Sequence, residues 1–133
     1  MPFTPGRHIF KVSLGKIWRR IAISGEASLA YLADLIRSSV NFDDDHLDCF
    51  TYKNTSGRQV QVMHPYMNDG ELFTDEVTVG SLPLVVGSTL EYLFDFGDCW
   101  KFQVQLEAIE AEPTQGIARV KATMKRRKAA KEP

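Results

Sequence analysis

The chain has 133 residues, 44% of them hydrophobic, so a single compact domain is expected. Its 16 Lys and Arg residues nearly balance 17 Asp and Glu residues, and no apolar run is long enough to span a membrane as a helix. The start of the chain has no apolar signal segment and there are only two cysteines, so we expect a cytoplasmic protein without a disulfide framework.

The near-neutral total conceals an uneven distribution of charge. Residues 1–118 carry 9 basic and 16 acidic side chains, a net of −7, whereas residues 119–133 carry 7 basic and 1 acidic, a net of +6. The sequence therefore predicts a loose lead-in at 1–7, an acidic domain at 8–110, and a linker with a basic tail at 111–133. Any attraction to an anionic partner is expected from the tail.

Alternation of apolar and polar residues predicts two pairs of strands. Residues 8–14 and 17–23 alternate with a period of two. Gly15 between them suits a tight hairpin turn, because glycine tolerates the positive φ that such a turn requires. Residues 47–52 are expected to form a third strand and, after a turn at 53–58, residues 59–64 alternate as a fourth. Each of these strands is expected to bury one face.

An amphipathic helix is predicted between the two pairs. Ser28 can cap its start, and apolar residues then recur at spacings of three and four as far as Val40. Asn41 is a plausible left-handed stop. Arg37 lies outside the apolar stripe and is expected to face solvent. A helix with a single apolar stripe must pack against something, and the strands offer that surface.

The clearest prediction is an aromatic-rich hairpin near the end of the domain. Residues 90–96 and 100–106 alternate, and Gly97 and Asp98 are expected to form the turn between them. Asp95 then lies within a strand, where Asp is disfavoured. Together these elements predict an α+β fold: a single domain with a mixed, mostly antiparallel sheet and one main amphipathic helix packed on one face.

Four short motifs, in order along the chain, resemble one protein family. They are IWRR at 17–20, LAYL at 29–32, DDHL at 44–47 and YLFDFGDCW at 92–100. Over roughly residues 8–110 these motifs resemble the plasmid pRiA4b ORF-3-like family, small proteins found on plasmids and as passengers of transposable elements. The resemblance implies an α+β fold with a helix across a mixed sheet, and it brings no established biochemical activity.

Acidic residues and a histidine near two predicted turns form a candidate polar cluster, made of Asp45, His46, Asp95 and Asp98. Carboxylates and an imidazole are ligands for divalent metals, and together these groups would suit a small metal-dependent hydrolase. The acidic run at residues 43–48 lacks the glycine and the distal glutamate of a calcium-binding loop. Acidic clusters between secondary-structure elements are more often helix caps and solvated turns. We therefore assign no catalytic residue, no metal and no cofactor.

A second candidate is a stacking and anion-contacting surface, made of Trp18, Arg19, Arg20 and Trp100. Proteins that bind single strands place aromatic side chains on a sheet face with basic groups nearby. The alternative places Trp18 in the core and pairs an arginine with an acidic residue. The net charge of −7 over the domain favours this alternative, because it would repel a phosphate backbone.

The basic tail is the third candidate site, centred on Lys125, Arg126, Arg127 and Lys128. It could contact nucleic acid or a protein partner, whereas the alternative is a solvated terminus without a partner. The sequence thus favours a non-enzymatic binding or interaction module. The other hypotheses are a nucleic-acid accessory protein that binds through the tail and a hydrolase that uses the Asp/His cluster. No membrane partner is expected, and no substrate is indicated.

Overall fold

A computed structural model describes residues 3–42, 46–67 and 70–111 of the chain. The elements, in chain order, are β1 (Arg7–Leu14), β2 (Ile17–Ser24), α1 (Leu29–Ser39), β3 (Asp48–Lys53), β4 (Gln59–Met63), a 3₁₀ turn (Val79–Ser81), β5 (Thr89–Phe94) and β6 (Trp100–Glu110). The strands form one six-stranded sheet in the order β2-β1-β6-β5-β3-β4. Every neighbouring pair in this sheet is antiparallel.

The sheet dominates the described structure, so the predicted α+β class with a mixed sheet is wrong. Three hairpins, β1–β2, β3–β4 and β5–β6, lie side by side in the sheet. A parallel pair requires a crossover between neighbouring strands. Helix α1 instead connects β2 at one edge to β3, which lies four strands away. The prediction that one helix packs on one face of the sheet is confirmed.

The predicted β1–β2 turn agrees with the structure, whereas the predicted β5–β6 turn differs from it. Gly15 has φ of 60°, as the tight β1–β2 turn requires, and this prediction is confirmed. Strand β5 ends at Phe94, so the placement of Asp95 within a strand is wrong. In the β5–β6 turn the left-handed residues are Asp95, with φ of 64°, and Cys99, with φ of 59°, whereas Gly97 has no positive φ.

Helix α1 begins and ends where the sequence predicts. The Ser28 hydroxyl accepts a hydrogen bond from the Tyr31 amide at 3.1 Å, and Asn41 adopts φ of 62° just beyond the C-terminus. The apolar stripe of the helix packs on the sheet. Together they bury a core whose largest fully buried side chains include Phe10, Leu29, Leu32, Ile36, Phe50, Tyr92, Phe102 and Leu106.

The opposite side of the sheet is largely open to solvent, apart from the buried Ala22 and Cys49, and is here called the open face. Strand register places alternate residues on the two sides, so the neighbours of the core residues point away from α1. The polar and aromatic members of the open face are Arg7, Lys11, Ser13, Trp18, Arg20, Ser24, Thr51, Lys53, Gln59, Gln61, Thr89, Glu91, Lys101, Gln103, Gln105, Glu107 and Glu110. This is the usual two-sided pattern of an antiparallel sheet.

Candidate functional site

One row of directly opposed residues crosses all six strands of the open face. Successive members are register partners on adjacent strands: Trp18, Ser13, Gln103, Glu91, Thr51 and Gln61. Five interstrand spacings give this row a length of about 24 Å. The row begins at the edge strand β2 and ends at the opposite edge strand, β4. It forms a continuous polar track with one tryptophan at its end.

Trp18 lies on the open face with 38% of its surface exposed, so the alternative is wrong in placing it in the core, whereas its pairing of an arginine with an acidic residue is confirmed by Arg20 and Glu107. The ammonium nitrogen of Lys11 lies 5.1 Å from the centre of its ring, and the Arg20 guanidinium lies 5.2 Å from it. Lys11 and Arg20 are register partners in the row next to Trp18. Both cations are within the range of a cation–π interaction, which fixes the exposed indole on the sheet surface.

The charges of the open face leave a positive surplus. Arg20 pairs with Glu107 at 2.7 Å, and this hydrogen bond raises the pKa of the arginine. Arg7 pairs with Glu110 at 2.6 Å. Among the described residues, the charged side chains of this face outside these two ion pairs are Lys11, Lys53, Lys101 and Glu91. The unpaired charges therefore sum to +2.

This local surplus exists although the domain as a whole is acidic. The described residues carry nine cations and eleven carboxylates, a net of −2. The remaining five negative charges up to residue 118 belong to residues 43–45, 69 and 112, outside the described ranges. The argument that the net charge of the domain would repel a phosphate backbone therefore does not extend to the open face.

The open face also carries neutral hydrogen-bonding groups and a cavity. Gln59, Gln61, Gln103 and Gln105 are all exposed on it. A cavity of about 490 Å³ lies towards the β3–β4 side of the face, and its lining includes Lys53, Gln59 and Gln103. An amide group both donates and accepts hydrogen bonds, so this end of the face can bind planar polar groups as well as anions.

The four predicted stacking and anion-contacting residues do not form one surface. Arg19 lies on the side of α1, where its Nε donates to the Ser39 carbonyl at 3.1 Å. It thereby satisfies a carbonyl at the C-terminus of the helix. Trp100 is on the same side and packs against Phe42, with 5.4 Å between ring centres. Only Trp18 and Arg20 share the open face.

The structure brings together two members of the predicted Asp/His cluster. His46 Nε2 lies 3.5 Å from Asp95 Oδ2, and the Asp95 amide donates to the Leu47 carbonyl at 3.0 Å. Asp95 Oδ1 accepts hydrogen bonds from the Gly97 and Asp98 amides at 3.1 and 3.3 Å, so this carboxylate organises the β5–β6 turn. Asp98 is exposed.

Asp45 and the tail residues Lys125, Arg126, Arg127 and Lys128 lie outside the described residues. Within the described ranges no group of three or more His, Cys, Asp and Glu side chains could hold a metal ion. The contact between His46 and Asp95 links the segment after α1 to the final hairpin, through two of the segments that carry the family resemblance.

A buried polar group that the sequence did not predict lies between α1 and the sheet. Arg37 is almost fully buried, so its predicted exposure is wrong. Its Nη1 donates to Asp48 Oδ2 and to the Tyr92 hydroxyl, each at 2.8 Å, and that hydroxyl donates to Asp48 Oδ2 at 2.6 Å. Arg37 Nη2 also pairs with Asp34 on the same helix. The guanidinium is tolerated inside because a buried carboxylate neutralises it.

Tyr92 makes the stability of the protein sensitive to alkaline pH. Burial, and secondarily the Asp48 carboxylate, raise the pKa of its phenol above the ordinary value. Above about pH 10 the unfolded chain loses this proton while the folded chain keeps it. The stabilisation is therefore complete below about pH 10 and is lost as the pH rises, at up to about 1.4 kcal/mol per pH unit.

Substitution of Tyr92 by Phe is expected to remove this part of the alkaline slope, and it also removes two hydrogen bonds. Urea unfolding between about pH 9 and pH 11 measures the slope for both proteins. Tyr52, whose pKa burial also raises, is retained in both and contributes equally. Identical slopes in the two proteins would contradict the assignment.

Comparison with known proteins places the fold and the family. The crystal structure of the protein of unknown function MM3350 from Methanosarcina mazei Go1 is similar, with a TM-score of 0.72 and 24% sequence identity. The match covers 84% of this chain and 65% of that protein, so the chain spans about two thirds of that protein's length. This likeness shows a shared fold. A search of curated proteins finds no match.

The similar structure and the family model do not supply a specific activity. No helix in the described ranges combines the length and apolar character needed to cross a membrane. The family model described as "Plasmid pRiA4b ORF-3-like protein" matches residues 10–132, which is nearly the whole chain. The chain belongs to the plasmid pRiA4b ORF-3-like family, as its motifs predict.

Proposed function

We propose that the protein is a non-enzymatic binding module that holds an anionic partner on the open face of its sheet. The observation that carries this proposal is Trp18, an exposed tryptophan in contact with Lys11 and Arg20 on the same face. An exposed aromatic ring beside cations can contribute apolar area and electrostatic attraction at the same point of a surface.

Two other polar groups of the described structure, around Asp95 and around Arg37 and Asp48, have structural partners. The Asp95 carboxylate accepts two amide hydrogen bonds within its turn. Arg37 and Asp48 are closed off from solvent and satisfy each other. These contacts support a structural role for both groups, and they leave the open face as the surface best suited to a partner.

The basic tail is a second candidate site for an anionic partner. Residues 119–133 have a net charge of +6, the strongest local concentration of charge in the sequence. Contacts of Lys and Arg with phosphates release counterions and require no particular fold. The tail and the open face are therefore independent proposals that one experiment can separate.

Lysine acetylation on the full chain, read by mass spectrometry, tests both candidates with linear inorganic polyphosphate as the probe. If the open face binds the probe, acetylation of Lys11, Lys53 and Lys101 slows when polyphosphate is added. If only the tail binds, slowing is confined to Lys121, Lys125, Lys128 and Lys131. Unchanged rates at the three lysines of the face would refute the proposal for that surface.

A further inference from the structure

We infer that the partner of the open face is a single-stranded nucleic acid that crosses the strands along the row from Trp18 to Gln61. This inference rests on the proposed function and identifies the chemistry of its partner. It depends on three features of the face: an aromatic ring that can stack on a base, amides that can bind base edges, and lysines on both sides of the row.

The exposed indole favours a single strand over a duplex. Bases in a duplex are stacked on each other, so their faces are closed to a side chain, whereas the bases of a single strand can stack on an aromatic ring. Trp18 lies on the edge strand β2, at one end of the row, where a strand can approach it from beyond the sheet. Its two neighbouring cations attract phosphate to the same place.

The amides of the row suit base edges and the lysines beside it suit phosphates, whereas Glu91 is the one carboxylate of the row. Gln103 lies in the row, and Gln105 lies beside it on the same strand, with both side chains exposed. Glutamine amides can donate to and accept from base edges. Lys11 and Lys53 lie on one side of the row and Lys101 lies on the other. A strand that follows the row thus has a cation near its backbone on either side.

The residue composition of the open face disfavours a protein partner. A stable protein interface has an apolar centre, and large apolar side chains at such centres supply most of the binding energy. On the described open face Trp18 is the one large hydrophobic residue that is exposed, at 38%, and it lies at the edge. The half-buried hydrophobic residues of the same face include Ile9, Met63 and Leu93. The centre of the face, around Gln103 and Glu91, is polar.

The cavity lies beside the middle of the binding track. Its lining includes Gln103, Glu91 and Thr51 of the row, together with Gln59 and Lys53 from the neighbouring row. A volume of about 490 Å³ is within the range of pockets for small planar ligands. With about 24 Å between the ends of the row, the track accommodates about four nucleotides, a site size known for single-strand binding sheets.

Trp18 fluorescence tests the inference in the full chain. Trp100→Phe leaves Trp18 as the single tryptophan reporter. The probes are hexathymidylate and an abasic deoxyribose-phosphate strand of equal length, at about 200 mM salt to weaken contacts made by the tail. We expect saturable quenching by hexathymidylate, no quenching by the abasic strand, and at least about tenfold weaker binding of the abasic strand.

Three variants identify the side chains responsible, with binding measured by anisotropy of a labelled hexathymidylate. Trp18→Leu is expected to weaken binding about tenfold or more, whereas Trp18→Tyr retains most of it, because tyrosine still stacks. Gln103→Glu adds a second negative charge opposite Glu91 at the centre of the track and is expected to weaken binding at least about tenfold. Ser38→Glu adds the same charge to an exposed position of α1 and should leave binding unchanged.

The outcomes separate this inference from the proposed function. The inference would be overturned if hexathymidylate and the abasic strand bind with equal affinity and neither quenches Trp18. If Lys11, Lys53 and Lys101 are nevertheless protected from acetylation, the proposed anion-binding function of the face stands. Binding that Trp18→Leu and Gln103→Glu do not weaken, with protection confined to the tail lysines, would overturn both. Unchanged urea midpoints of the variants establish that any loss of binding is not a loss of fold.

Discussion

Substitution of Asp48 by Asn is expected to lower the free energy of unfolding by about 3 kcal/mol. Arg37 and Asp48 are both almost fully buried and lie 2.8 Å apart, so loss of this carboxylate removes the buried counter-charge of the guanidinium and leaves it paired with the largely exposed Asp34. Asparagine keeps the shape of the side chain and one accepting oxygen. The decrease in the free energy of unfolding therefore reports the loss of the charge itself. About 3 kcal/mol is a large fraction of the stability of a small domain.

Asp34 provides a matched control, because it pairs with the same arginine from an exposed position. Its side chain is 59% exposed, and Asp34→Asn is expected to cost between about 0 and 1 kcal/mol. The triple variant Arg37→Met, Asp48→Leu, Tyr92→Phe removes all three buried polar groups and is expected to recover most of the loss. Urea unfolding measures all of these proteins. Equal midpoints for the two single variants would contradict this account of the core.

Reversal of charge on the open face is expected to have the largest effect on binding. The double variant Lys11→Glu, Lys101→Glu removes one cation from each side of the row. Loss of a phosphate contact with a single strand lowers affinity about tenfold at about 50 mM salt and reduces the log–log salt slope by about 0.7. Two lost contacts should therefore weaken binding of hexathymidylate about a hundredfold and reduce the slope by about 1.4.

The tail supplies a control of equal charge. The variant Lys125→Glu, Lys128→Glu changes the net charge of the chain by the same amount. If the open face binds the strand, the face variant loses more affinity than the tail variant, and Trp18 quenching persists in the tail variant. If instead the tail variant loses more affinity, and the face variant keeps the salt slope of the unsubstituted protein, binding belongs to the tail.

The strands and helix were predictable because their signals are local. Alternation over 8–14 and the cap at Ser28 depend on residues adjacent in the chain, and the structure confirms both. The order of the strands depends on contacts between residues distant in sequence, which alternation does not reveal, and the prediction of a mixed sheet is therefore wrong. Asp95 was misplaced because its side chain forms a turn with amides that follow it, which removes it from strand β5.

The site was harder to predict than the fold. The open face joins residues from all six strands, and Trp18 and Gln103 come into the same row, on either side of Ser13, only through the register of β2, β1 and β6. Arg37 was assigned to solvent because hydrophobic periodicity alone cannot reveal a buried partner on another element. Asp48, a carboxylate beside the apolar residues of a predicted strand, was the one signal in the sequence for that partner.

The central claim is that the open face is the binding surface, and amide chemical shifts of the full chain test it most directly. The measurement compares ¹H–¹⁵N spectra without and with hexathymidylate at about 200 mM salt. We predict that the largest changes fall on the Trp18 indole N–H and on the amides of Gln103 and Gln61. Changes confined to residues 119–133, or centred on α1, would contradict the claim.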